Sequence, residues 1–252
     1  MVKMIMHGCN GAMGRVIAGL VAQDDGIRIV AGVDLNSQAN GEFPVYSALE
    51  EVKEEADVIV DFASAKAVDG LLDYGKAKQI PIVLCTTGLS QEQLEKVEET
   101  AKSVAVLRSA NMSLGVNVLL KLVAEAAKTL GTAGFDVEIV EKHHNQKVDA
   151  PSGTALALAD SVNHALEDSC HYVYDRSQKR EKRDGKEIGI SAVRGGTIVG
   201  DHDVIFAGKD EVVTFSHRAY SKAVFAKGAV EAAKFLAGKG PGLYAMADVI
   251  EG

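Results

Sequence analysis

Val2-Lys3-Met4-Ile5-Met6-His7-Gly8-Cys9-Asn10-Gly11-Ala12-Met13-Gly14 is the stretch whose reading decides the fold. The apolar run Val2 to His7 reads as a buried strand. Met13 to Gln23, with apolar residues recurring every three or four positions, reads as a helix. Between them Gly8, Gly11 and Gly14 mark a tight turn, and glycines there let backbone N–H groups approach a pyrophosphate at a helix N-terminus. The spacing G-x-x-G-x-x-G is one residue longer at its first step than the usual dinucleotide fingerprint, so it is weak alone. Its context strengthens it, because Asp34 ends the next apolar run 20 residues after Gly14, where an acid accepts from an adenosine ribose 2′-OH. The candidate cofactor residues of this region are therefore Gly8, Cys9, Asn10, Gly11, Ala12, Met13, Gly14 and Asp34. A carboxylate at 34 repels a 2′-phosphate and Leu35, Asn36 and Ser37 bring no cation, so NADH is the expected cofactor, with NADPH possible.

Outward from this unit the pattern repeats. Ile27 to Val33, Asp57 to Asp61, Ile80 to Cys85 and Val104 to Leu107 read as further strands, near-continuous in Val and Ile as in a parallel sheet buried on both faces. Ala65 to Lys78 and Ser90 to Lys102 read as helices, and Ser90 with Gln93 forms a capping-box pattern. This order predicts a doubly wound, Rossmann-type α/β domain. Cys85, Thr86 and Thr87, and Ser109, Ala110, Asn111 and Met112, fall at carboxyl ends of its strands, where ligands bind in such sheets; they are candidate nicotinamide contacts, with ordinary turn chemistry as the plainer reading.

After about residue 112 the grammar changes. A helix, Gly115 to Leu130, leads into the alternating strand Phe135 to Ile139, then a helix, Thr154 to Leu166, and successive strands Tyr172 to Tyr174, Ile188 to Arg194, Ile198 to Phe206 and Val212 to His217. Strands in succession predict an α+β domain whose mixed or antiparallel sheet is covered on one side by the two helices. Its other face is either solvated or an oligomer interface. The Ala-rich segment Ala223 to Ala237 reads as a helix stopped by Gly238, expected to pack back on the first domain. Arg176 to Lys186 is basic but interrupted by Glu181 and Asp184, and Asp184-Gly185 is a hairpin signal; a solvated loop is expected there rather than a nucleic-acid patch.

Composition bounds the function. The chain has 252 residues, 47% hydrophobic, with 27 Lys plus Arg against 35 Asp plus Glu and a formal charge of −8. This excludes a disordered or disulfide-stapled chain and argues against nonspecific nucleic-acid binding. No apolar stretch has the length of a membrane span, and Met1 to His7 does not read as a secretory signal, so a cytoplasmic location is expected. Cys9, Cys85 and Cys170 show no C-x-x-C spacing. With no base adjoining Cys9 or Cys85, spectator thiols are expected.

The densest chemical cluster is Glu141-Lys142-His143-His144-Asn145-Gln146-Lys147-Val148-Asp149-Ala150-Pro151-Ser152-Gly153-Thr154-Ala155, expected to be a loop between a strand and a helix. Histidine exchanges a proton near neutral pH, Lys147 is a cation, and Gly153 and Thr154 expose N–H groups at a helix start. Together they suit a small carboxylate substrate. The plainer reading makes Ser152 only an N-cap and one histidine a structural residue. Zinc is disfavoured, because a third ligand must come from His164, His171, His202 or His217 at no recognisable spacing, and no metal is expected.

These residues resemble the 4-hydroxy-tetrahydrodipicolinate reductase (dihydrodipicolinate reductase) family end to end. The resemblance is carried by Gly8 to Arg15, Val60-Asp61-Phe62, Thr86-Thr87-Gly88, Ser113 to Asn117, E-x-H-H-x-x-K-x-D-x-P-S-G-T-A at 141–155, Val193 to Gly196 and Ile198 to His202. It implies reduction of a cyclic C=N-containing dicarboxylate by NAD(P)H to tetrahydrodipicolinate, in lysine and diaminopimelate biosynthesis. His143 is then the proton donor, Lys147 a second acid or cation, and His144, Gly153 and Thr154 substrate contacts. The resemblance also implies a homotetramer, a discontinuous dinucleotide-binding domain (1–112 and 218–252) and a substrate-binding and oligomerisation domain (113–217). Cys85, where Gly is frequent, and Ala63, where Thr is common, depart from the family pattern at the nicotinamide end. A related two-domain amino-acid or imino-acid dehydrogenase is the alternative, which the His-His-x-x-Lys signature separates.

Overall fold

In the computed structural model, which describes residues 1–38 and 42–252, the run Val2–His7 is strand β1 of a seven-stranded parallel sheet. Its other strands are β2 (Ile27–Val33), β3 (Val45–Tyr46), β4 (Val58–Asp61), β5 (Ile82–Leu84), β6 (Ala105–Arg108) and β12 (Gly242–Tyr244), in the order β12-β6-β5-β4-β1-β2-β3. The central strands are apolar on both faces because both are covered. Met4, Met6, Val58, Val60 and Val83 pack toward α1 (Ala12–Val21) and α6 (Ala223–Leu236). Ile5, Ile59, Ile82 and Val106 pack toward α2 (Val68–Lys78) and α3 (Gln91–Ala101). Ser90 caps α3 as expected, its Oγ accepting from Gln93 N at 3.2 Å while its own N–H donates to Gln93 Oε1 at 3.1 Å. The buried alanines of α6 let it lie close, and at Gly228 a Cβ would sit 1.7 Å from the Met112 carbonyl oxygen. The strands β3 and β12 and the terminal helix α7 (Met246–Glu251) add to the elements read from sequence.

One compact unit comprises Met1–Leu114 with Ala223–Gly252, and the other Gly115–Lys222. The second contains α4 from Gly115 onward (the helix spans Leu114–Leu130), β7 (Asp136–His143), α5 (Gly153–Ala165), β8 (His171–Val173), β9 (Glu187–Arg194), β10 (Gly200–Ala207) and β11 (Val212–Ala219). Its mixed sheet runs β11-β10-β7-β9-β8, with β10 antiparallel to both neighbours and β7, β9 and β8 mutually parallel. Leu119 and Val123 of α4 and Leu158 and Val162 of α5 pack on Val137, Ile139, Ile190, Val204 and Phe206, so both helices cover one face.

Two local expectations are corrected. Asp184-Gly185 is not a β-hairpin, since the strands on either side, β8 and β9, are parallel and 174–186 is a crossing loop. The basic segment is the exposed loop expected, with only Arg176 and Arg183 of residues 176–186 partly buried. Arg183 donates to Glu138 Oε1 at 3.0 Å and Asp136 Oδ1 at 2.9 Å, and Arg176 pairs with the buried Glu187. The second correction concerns β7, which continues past Ile139 through Glu141-Lys142-His143, so the chemical cluster begins on a strand and not in a loop.

Candidate active site

In the first unit the cofactor candidates share one edge of the parallel sheet. Gly8 to Gly11 follow β1, Ala12 to Gly14 open α1, Asp34 follows β2, Cys85 to Thr87 follow β5, and Ser109 to Met112 follow β6. This is the carboxyl edge, beside the place where successive connections leave β1 in opposite directions. Gly8 has φ +82°, and a Cβ there would lie 2.7 Å from the Phe62 carbonyl oxygen. A Cβ on Gly14 would lie 2.3 Å from the Gly8 carbonyl oxygen. Side chains at 8 and 14 would therefore collide, at 8 with the backbone after β4 and at 14 with the loop itself, and the space the glycines leave suits a pyrophosphate at the start of α1.

Asp34 accepts from Asn10 N and Asn36 N, both at 3.0 Å, and the Asn10 amide donates to the Asn36 carbonyl at 2.6 Å. The glycine loop is thus tied to the acid that ends β2. A cavity of about 540 Å³ lies alongside, lined by Gly8, Gly11, Asp34, Leu35, Ala63 and Lys66 among others. Lys66, a cation outside the Leu35 to Ser37 segment, comes to this cavity from the turn that follows β4.

Beneath the loops is a buried acid with no role in the sequence reading. Asp61 Oδ1 lies 2.7 Å from His7 Nδ1 and accepts from Ala63 N at 3.2 Å, while Oδ2 accepts from the Thr86 hydroxyl at 2.6 Å. It joins the ends of β1, β4 and β5, which orients Thr86. Ala63 makes its bond through the backbone, so the missing hydroxyl leaves this joint intact. Burial, then Asp34, raises the Cys9 thiol to about 11, and burial with Asp61 raises Cys85 well above the ordinary value. Both are poor nucleophiles at neutral pH.

In the second unit the alternation of β7 turns Glu141 and His143 to the same side, toward the start of α5. His143 Nδ1 lies 2.6 Å from Glu141 Oε2. Arg194 at the end of β9 grips both carboxylate oxygens, Nη1 to Oε2 at 2.8 Å and Nη2 to Oε1 at 2.7 Å. Ser152 N donates to Oε1 at 3.0 Å. Burial opposes ionisation of Glu141, yet Arg194, His143 and the Ser152 N–H hold its carboxyl below the ordinary range.

Ser152 also caps α5, its Oγ accepting from Ala155 N at 3.1 Å and lying 3.0 Å from His202 Nε2. The rings of His143 and His202 meet edge to face at 5.1 Å. Burial, with His143 next to it, pushes His202 down to about 4, so it is neutral where His143 would work. Lys147 is held at 2.8 Å from Asp149 Oδ1 on the loop leading to Gly153 and Thr154, the first residues of α5. His144 is half-buried directly after β7.

The fold thus brings His143 together with Glu141, Arg194, Ser152 and His202, four residues to which the sequence reading gave no part in catalysis. The signal for Glu141 was present in its i, i+2 relation to His143 on an alternating strand. Arg194 becomes a neighbour only through the pairing of β7 with β9, which sets His143 opposite it.

Residues 2–112 match the family described as "Dihydrodipicolinate reductase, N-terminus" and 115–250 the one described as "Dihydrodipicolinate reductase, C-terminus". The 4-hydroxy-tetrahydrodipicolinate reductase of Caldanaerobacter subterraneus subsp. tengcongensis is 57% identical over 251 residues, covering 100% of this chain and 99% of the relative. That of Clostridium tetani is 48% identical, covering 98% and 96%. Among solved structures, a dipicolinate-bound dihydrodipicolinate reductase from Paenisporosarcina sp. TG-14 superposes with a TM-score of 0.81 at 25% identity over 97% of each chain. With both halves matched in order, the chain belongs to the dihydrodipicolinate reductase family of NAD(P)H-dependent oxidoreductases.

Proposed function

We propose that this chain reduces 4-hydroxy-tetrahydrodipicolinate to tetrahydrodipicolinate with NADH or NADPH, as a cytoplasmic enzyme of lysine and diaminopimelate synthesis. The observation that carries the reading is the cluster at the end of β7. There a proton-exchanging histidine, held by a buried carboxylate, is followed by a lysine and a helix start in a chain 57% identical to a named member of the family. Gly8 to Gly14 and Asp34 hold the dinucleotide, with Thr86, Thr87 and Ser109 to Met112 at its nicotinamide end. When bound, the nicotinamide supplies a hydride.

The chain's own part follows from charge. Lys147 and the N–H groups at Gly153 and Thr154 neutralise the substrate carboxylates, and His144 contacts the same ligand. Loss of the substrate's hydroxyl as water leaves a C=C conjugated with the C=N, and hydride addition to the carbon end of that system leaves negative charge spread toward the nitrogen. His143 relieves it by giving a proton from Nε2, an interaction stronger in the transition state than in the ground state. Asp34 disfavours a 2′-phosphate while Lys66, lining the same cavity, offsets part of that repulsion, so NADH is preferred and NADPH is used.

The uncovered face of the second unit's sheet, bearing Val140, Ile205 and Val212 among polar residues, is proposed as the contact that builds a homotetramer. The decisive assay supplies the product of dihydrodipicolinate synthase with NADH and, separately, NADPH, against L-aspartate semialdehyde and amino acids as controls. Turnover of the first alone, with a higher kcat/KM for NADH, is expected. Turnover of the controls alone makes the chain an amino-acid or imino-acid dehydrogenase. Native mass of the same sample reads the assembly.

A further inference from the structure

Four donors converge on the two oxygens of Glu141. Oε1 receives Arg194 Nη2 and the Ser152 N–H, and Oε2 receives Arg194 Nη1 and His143 Nδ1. An ionised carboxylate can only accept, so the ring nitrogen facing it must carry the hydrogen. Glu141 is fully buried and His143 is 8% exposed, so water does not compete freely for either. The far side of the ring lies over Gly200 at the start of β10, where a Cβ would come to 3.0 Å from Nε2.

We propose that Glu141 is the positioning residue of His143: clamped by Arg194 and the Ser152 N–H, its carboxylate fixes a proton on Nδ1 and leaves Nε2 as the nitrogen that exchanges protons with substrate. The inference rests on the reading of His143 as proton donor, and it adds how the fold selects the nitrogen. The groups around the ring favour that assignment. Glu141 on β7 offers Nδ1 a buried carboxylate acceptor at 2.6 Å. His202 on β10 is kept neutral by burial and adds no opposing charge, as does His217 on β11, whose ring burial also pushes down. Arg194 on β9 is spent on Glu141 and the Asp149 carbonyl, and Lys147 is paired with Asp149. When Nε2 gives up its proton, the ring is left neutral in the tautomer the carboxylate already holds, and no reorganisation is needed.

The test reads the tautomer directly. In ¹⁵N-histidine-labelled wild type, with His143 assigned by its loss in His143→Gln, the neutral ring is expected to carry its proton on Nδ1. An Nε2–H tautomer overturns the inference whatever the activity of any variant. In Glu141→Gln one of two acceptors becomes an NH₂ donor facing other donors, so the neutral ring is expected to turn to the Nε2–H form. Turnover should then fall about 10²-fold, with NADH affinity unchanged. Wild-type turnover and tautomer in folded Glu141→Gln also overturn the inference. If that variant does not fold, the wild-type spectrum decides. Near wild-type turnover in His143→Gln, with Nδ1–H seen in the wild type, instead removes the donor reading and with it any catalytic use of the clamp.

Discussion

At the scale of single residues, the second unit separates a group that can move a proton from groups that hold it in place. His143→Ala and Lys147→Ala should each lower kcat by about 10²- to 10⁴-fold, with NADH binding unchanged in a fluorescence titration. Near wild-type turnover in either variant removes that residue from the mechanism. His202 makes a different prediction, because its folded value of about 4 lies below the ordinary 6.5. Between those two pH values the unfolded chain takes up a proton that the folded chain refuses, so stability falls as pH drops through this window, by at most about 3 kcal/mol from this group. Glu141 acts in the same direction lower down, since a carboxyl held below its usual range loses its contribution as it protonates. A melting temperature measured from pH 7 to pH 4.5 should therefore fall more steeply in wild type than in His202→Gln. Equal slopes would show that His202 is not held neutral by the fold.

At the scale of elements, the start of α5 joins packing to chemistry. Ser152→Ala should cost about 1 kcal/mol for the cap, read by urea unfolding, and more if His202, deprived of its hydroxyl neighbour, is left without a partner. An unchanged midpoint would mean that water replaces the hydroxyl on both sides. The elements also differ in how far the sequence alone makes them legible. β1, β2, α3 and α6 were legible because a buried parallel strand, an amphipathic helix and a capping box each leave a local period or a local pair. β7 was read short, since Glu141-Lys142-His143 looks like a surface loop by composition, although its burial alternates through His143. The edge strands β3 and β12, of two and three residues beside Pro44 and Pro241, are too short to carry any period. The parallel pairing of β8 with β9 was hidden by a true turn signal at Asp184-Gly185, which turns the loop without pairing strands across it. The Glu141–Arg194 clamp spans 53 residues and exists only through register, which no spacing reveals.

At the scale of the whole molecule, the formal charge of −8 seems to set the protein against an anionic substrate and an anionic cofactor. The sum misleads because the charges that matter sit within reach of the ligand: Lys147 and the start of α5 in one unit, the start of α1 and Lys66 in the other. Exposed charges more than about 8 Å away are largely screened at physiological salt, whereas near, partly buried charges are screened much less. The two views differ in sign. If the net charge governed binding, added salt would relieve repulsion and lower KM for the dicarboxylate. If the local cations govern it, salt weakens attraction and KM rises. We expect KM to rise by a few-fold as ionic strength increases from about 0.01 M, where the screening length is about 30 Å, to about 0.15 M. In Lys147→Ala that rise should flatten, because the cation whose attraction salt screens has been removed. A wild-type KM that falls with salt would return the decision to the acidic surface and assign the carboxylates a binding site other than the start of α5.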